Sequence, residues 1–190
     1  MIKVTSKKNI VVTLTFILII LVGLCGCTTT PSNEEQKETL LTITVDSLTY
    51  NYTLDDLLLL KSSSGRGSYI NSKGTITGPN NFTGVSMGDL LNTIPTLPYN
   101  YSLHAIASDD YTVSYSMDEI NGYLTVFNET GDEIGIENLT MIVAYLQNGE
   151  YLNESTNGPL RIAFIGTQPY ITRSGMWLSS LVKIEILEID

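Results

Sequence analysis

Cysteine and histidine are almost missing from this chain. Its two cysteines, Cys25 and Cys27, stand near the N-terminus, and His104 is the only imidazole. The body after them therefore has no thiols to pair in a disulfide. Zinc, copper and iron sites, which draw on several His or Cys donors, are starved of ligands. A nucleophile–histidine–acid triad would have to use His104, which sits among Leu103, Ala105 and Ile106 and reads as an ordinary strand residue. The Asp109-Asp110 pair ahead of Tyr111 reads as a turn rather than as acid–base machinery.

Positive charge is scarce as well. The chain carries a net charge of −10, with ten Lys and Arg against twenty Asp and Glu. Three of those cations, Lys3, Lys7 and Lys8, precede an apolar run from Ile10 to Leu24 that ends in "LCGC". A basic start, an apolar run and small residues at its end predict a secretory signal. The final four residues fit a lipoprotein box, in which cleavage before Cys27 lets its thiol take a lipid; Cys25 is the poorer acceptor because bulky Leu24 would occupy the position before the cut. A retained signal anchor is the alternative, although a run of about 15 residues falls short of the roughly 20 that a spanning helix needs. After processing, seven cations face twenty acids, which excludes nucleic acid as a partner.

The expected organisation is a lipoprotein signal over 1–27 with lipidation at Cys27, a polar tether over 28–39 ("TTTPSNEEQKET"), and a body over 40–190. It places the protein outside the cytoplasm, held by its lipid to the outer face of the cytoplasmic membrane or in the cell envelope. The sequence names no further partner.

Strand signals dominate the body. "LTITV" (41–45) and "LTYNY" (48–52) alternate around Asp46-Ser47 and predict a hairpin with Leu41, Ile43 and Val45 on one face, continued by Leu48, Tyr50 and Tyr52. Further strands are expected at 68–77, 102–108, 111–116, 123–127, 140–147, 160–165 and 181–189. Three short helices are marked by capping pairs, Thr53 with Asp56, Ser86 with Asp89 and Ser116 with Glu119. Glycine and asparagine place turns at Gly65 and Gly67, at 77–84, at 148–150 and at 156–159. Strands and helices do not alternate regularly, so the fold class is mixed, strand-rich α+β.

Six Asn-x-Ser/Thr sequons occur, at Asn51, Asn81, Asn100, Asn128, Asn138 and Asn153. Asn81 and Asn153 have the most loop-like surroundings and are the candidate glycan acceptors of an exported chain. Tyrosine outnumbers phenylalanine eleven to four, which suits strands that pack a ring and keep a hydroxyl wet.

Four segments, taken in order, resemble the molybdopterin-binding domain of the sulfite oxidase family. "FTGVSMGDLL" (82–91) is similar to its aromatic-x-Gly-Val helix entry, and "ASDDYTVSYSMDEI" (107–120) to its Ala-x-Asp-Gly-Tyr strand. "MIVAYLQNGEYLNESTNGPLRIAFIG" (141–166) resembles its Asn-Gly segment with the Gly-x-Pro-x-Arg strand, and "RSGMWLSSLVKIEI" (173–186) its Arg-x-x-Lys-Trp and last strand. The resemblance implies a sulfite-oxidase-type fold over 40–190 and a pterin dithiolene that carries molybdenum on one protein thiolate. It assigns cofactor contacts to Arg161, Arg173 and Trp177. The family's cysteine falls in "KSSSGRGSYINSKGTITG" (61–78), which holds serines and no Cys; its histidine falls at Asn157 and its lysine at Met176. A hard, protonated serine does not replace a soft thiolate. Taken alone, Arg161 alternates with Leu160 and Ile162 as a solvent-side strand residue would, and Trp177 can close a core.

The expected function is therefore a non-catalytic binding or interaction module with no cofactor, molybdopterin entering only through the resemblance and no metal ligand being assigned. Two other readings stay open: a molybdopterin-dependent oxidoreductase subunit that holds its pterin through Arg66, Lys73, Arg161 and Arg173, and a structural, glycosylated envelope protein.

Overall fold

The alternation of "LTITV" and "LTYNY" builds a hairpin of β1 (Leu41–Val45) and β2 (Leu48–Tyr52), turning at Asp46 with a left-handed φ of 53°. Leu41, Ile43 and Val45 are buried, and Tyr52, Tyr50 and Leu48 lie opposite them on the same face. The computed structural model describes residues 38–156 and 158–189. The leader, Cys27, the tether as far as residue 37, and Asn157 lie outside the described residues.

Each capping pair starts a helix at the expected residue. Thr53 begins α1 (Leu54–Leu59): its Oγ1 accepts the Asp56 N–H at 3.3 Å, and Asp56 Oδ2 accepts the Thr53 N–H at 2.8 Å. Ser86 caps α2 (Met87–Leu91) through the Asp89 N–H at 3.0 Å. Ser116 and Glu119 repeat the reciprocal box at α3 (Met117–Ile120). These caps satisfy donors that a short helix leaves open, so local sequence alone fixes the start.

The remaining strands are β3 (Ser62–Ile70), β4 (Ile76–Ser86), β5 (Tyr101–Ala107), β6 (Thr112–Tyr115), β7 (Tyr123–Phe127), β8 (Glu133–Asn138), β9 (Thr140–Gln147), β10 (Glu150–Tyr151), β11 (Arg161–Ile165), β12 (Ile171–Arg173) and β13 (Leu181–Glu188). One sheet has the order β2-β1-β13-β5-β6, with β1 and β13 parallel. The other runs β10-β9-β4-β3-β12-β7-β8, with β11 also on β9 and β12 parallel to β3. An isolated bridge between Arg66 and Gly166 brings β3 to the end of β11, so that β3, β4, β9 and β11 close on themselves. The result is a strand-rich mixed architecture with short helices, and one main core holds buried residues from both sheets.

The structure corrects three expectations. The strand expected at 68–77 is two strands, β3 and β4, separated by a turn in which Asn71 Oδ1 accepts the N–H groups of Lys73 and Thr75 at 2.9 Å. Gly65, Gly67 and the segment 77–84 lie in those strands rather than in turns. Their glycines serve close approach: a Cβ on Gly67 would stand 2.5 Å from the Phe164 carbonyl oxygen and 2.6 Å from Trp177 Cη2. Asn81 therefore sits on β4 rather than in a loop, whereas Asn153 lies outside strand and helix and is exposed.

Candidate functional site

β11 is buried at all five positions, because β9 pairs along it and core side chains cover both faces. Period-two alternation fails for a strand buried on both faces. Arg161 is accordingly 4% exposed and not the solvent-side residue that the alternation suggested. Its guanidinium carbon stands 5.3 Å from the Phe82 ring centroid and 5.4 Å from that of Trp177, and Nη1 donates to Gln147 Oε1 at 3.4 Å. Nε is buried and has no hydrogen-bond partner among the described residues. Burial lowers the guanidinium pKa from its ordinary value, and the nearby Tyr69 hydroxyl acts against the shift. Ring faces stabilise a desolvated cation, so aromatic contact substitutes here for a counter-ion.

Trp177 is the hub. Its ring packs against Tyr69, Phe82 and Phe164 at centroid distances of 5.1, 5.3 and 6.2 Å. Its indole N–H donates to Thr172 Oγ1 at 2.7 Å, and the Thr172 hydroxyl donates to the Ser68 carbonyl at 3.4 Å. The preceding 3-10 turn, Ser174–Met176, is held by the Tyr115 hydroxyl, which donates to the Met176 carbonyl at 2.7 Å. Burial, with smaller contributions from Glu119 and Tyr111, pushes the Tyr115 pKa far up and keeps the hydroxyl a neutral donor.

Of the three residues assigned through the resemblance, the fold brings Arg161 and Trp177 together and leaves Arg173 elsewhere. The Arg173 guanidinium lies 4.2 Å from the Phe127 ring centroid, beside a small cluster of Ile70, Phe127 and Ile171. Arg66 is exposed on β3 and lines a cavity of about 450 Å³ with Ser63, Ser64, Thr140 and Thr167; Lys73 is exposed in the Asn71–Thr75 turn. Trp177 borders a cavity of about 310 Å³ with Asp109, Tyr111 and Ser179. The Asp109-Asp110 pair forms the expected turn, with Asp110 at φ 65° and Asp109 Oδ1 accepting the Tyr111 N–H at 3.2 Å. Gln147, Tyr69 and Thr172 were not legible as partners of this cluster, since each is reached only through strand pairing. Phe82 carried a signal as the aromatic residue of "FTGV".

Among the described residues no group of three or more His, Cys, Asp or Glu stands together as a cation site. No described helix is long and apolar enough to cross a membrane.

No family model matches the chain, and no curated protein matches it. Among solved structures it is similar to the sulfane dehydrogenase SoxCD from Paracoccus pantotrophus, with a TM-score of 0.56 and 16% sequence identity. The likeness covers 78% of this chain and 38% of that one, so the chain spans well under half of its structural relative. At that identity the likeness is one of fold, and it supports a distant sulfite-oxidase-like architecture for the described body.

Proposed function

We propose that this chain is a lipid-anchored, extracytoplasmic binding module built on a sulfite-oxidase-type fold, without a catalytic role of its own. The observation that carries the reading is the environment of Arg161, where Phe82 and Trp177 lie against the guanidinium and the Gln147 amide meets its end. In the resembling family this arginine faces cofactor; here its neighbours are the protein's own rings. The residues present do not fit a molybdenum dithiolene. The stretch that would supply the thiolate contains Ser62, Ser63, Ser64, Ser68 and Ser72, and both cysteines belong to the leader box. Arg161 and Arg173 stand over different rings and converge on no common cavity among those described.

The full chain, extracted from the membranes of a host that makes the cofactor, should carry molybdenum and releasable pterin far below one per chain. Metal mass spectrometry and pterin fluorescence read this, and stoichiometric amounts of both would overturn the reading. The likeness to SoxCD favours the second reading, a redox subunit, and the same assay decides between them. Attachment is tested separately: Cys27→Ser should leave the protein unprocessed or released from the membrane fraction, and unchanged processing and attachment would point to a retained signal anchor.

A further inference from the structure

The hairpin of β9 and β10 overhangs a cavity of about 410 Å³ that is lined from the Asn-Gly segment but by none of Arg161, Arg173 and Trp177. Its wall carries Gln147, Asn148, Glu150, Tyr151, Asn153 and Ser155, with the buried Leu152 behind them. The size falls within the range of small-molecule sites, about 300–1,000 Å³. We propose that this cavity binds a neutral saccharide of one or two sugar units, which names the ligand class of the binding module and rests on that reading.

The wall is held in place before any ligand arrives. Asn148 Oδ1 accepts the Asn81 N–H at 3.0 Å, Asn148 Nδ2 donates to Asn80 Oδ1 at 3.0 Å, and the Asn148 N–H donates to the Asn81 carbonyl at 2.7 Å. The turn at Asn148 and Gly149 is thus pinned to β4. On the other side Asn153 Oδ1 accepts from the Ser155 N–H at 3.0 Å and the Ser155 hydroxyl at 2.6 Å. Tyr151 is 54% exposed, and its ring stacks on Tyr145 at 6.4 Å with an interplanar angle of 29°. A braced ring at a cavity edge offers a flat apolar surface at small entropic cost, as a sugar's C–H face requires.

The buried arginine sets the polarity of the site. A guanidinium only donates, so the Gln147 atom facing Arg161 Nη1 must be the carbonyl oxygen, and the two Nε2 donors are left for the cavity. Glu150 supplies the opposite character: its carboxylate makes no hydrogen bond or ion pair among the described residues. Amide donors and a carboxylate acceptor beside a ring match vicinal hydroxyls, each of which donates and accepts. No Lys, Arg or His lines the cavity, so a phosphate or an acidic sugar would meet Glu150 uncompensated. A cation would be drawn to Glu150 but could not use the Gln147 NH₂ donors and would find only one ring, so choline is the charged probe that tests this choice. Hydrolysis of a glycoside needs two carboxyl groups about 5–9.5 Å apart, and this wall has one, so the site binds without cleaving.

The test is calorimetric titration of the full chain in detergent with cellobiose, mannobiose and di-N-acetylchitobiose, with choline and inorganic phosphate as charged probes. At least one disaccharide should bind saturably, and Tyr151→Ala or Glu150→Gln should weaken it about tenfold or more while leaving the melting temperature unchanged. Arg161→Met, which removes the donor that orients Gln147, should weaken it less and preserve the fold by circular dichroism. The proposal is overturned if no disaccharide binds, if the Tyr151 and Glu150 variants bind as the parent does, or if choline or phosphate binds more tightly than every sugar. Molybdenum content, measured on the same preparation, separates the two ideas: a metal-loaded chain that binds the disaccharide sinks the cofactor-free reading and leaves this site standing.

Discussion

Trp177→Ala should cost about 3–5 kcal/mol of folding free energy, the range for losing a large buried aromatic side chain. The ring is 7% exposed and fills the space between Tyr69, Phe82 and Phe164. Those neighbours come from β3, β4 and β11, so a void there cannot be closed by shifting one side chain. The truncation also strips one of two rings from Arg161, leaving a desolvated cation with Phe82 and the Gln147 amide. Trp177→Phe should cost less, since it restores much of the volume but leaves the Thr172 hydroxyl without its indole donor. Urea unfolding followed by far-ultraviolet circular dichroism measures both, and a loss under about 1 kcal/mol for the alanine variant would contradict the packing role given to this side chain.

Gly84→Ala should also cost about 3 kcal/mol or more, at the upper end for an added methyl in a packed interior. Its Cβ would stand 2.1 Å from the Val143 carbonyl oxygen and 2.6 Å from Ala144 Cα. Both are backbone atoms of β9, next to a register shift between Thr83 and Gly84, so relief requires the strands to part. Gly88, four residues later, is the internal control. It lies in α2, where an added methyl would meet nothing within 4 Å, and Gly88→Ala should stabilise by roughly 0.5–1 kcal/mol through helix propensity. Thermal unfolding of the two variants should move in opposite directions, and a shared direction would contradict this account.

The contrast between these glycines shows what sequence can reveal. Capping pairs were legible to the residue, because Thr53, Ser86 and Ser116 act within their own turn. The first hairpin was legible because β2 is an edge strand and its alternation is undisturbed. His104 falls on β5 as an ordinary strand residue. By contrast, Gly65, Gly67 and Gly84 imitate turn residues while serving contacts with strands far away in the chain. β8 stayed hidden because it buries almost nothing, with Ile134 and Ile136 both exposed. Arg161 was placed on the wrong side because a strand covered on both faces has no polar rhythm to read. The turn at 148–150 was legible but the cavity beside Tyr151 was not, since the contacts between Asn148 and the Asn80–Asn81 pair join segments more than sixty residues apart.

The parallel pairing of β1 with β13 has a consequence in time. Thr42 lies opposite Lys183 and Val45 opposite Ile186, so an inner strand of the five-stranded sheet waits for a neighbour made about 140 residues later. During synthesis the β1–β2 hairpin emerges well before β13, with the outer edge of β1 unpaired, and can complete its ladder only when β13 is released. Such distant closure slows folding and lengthens the interval in which an open edge can pair with the wrong chain. The last strand thus acts as the latch of the sheet, and a polypeptide stalled before Leu181 would leave both β1 and β5 without their shared neighbour.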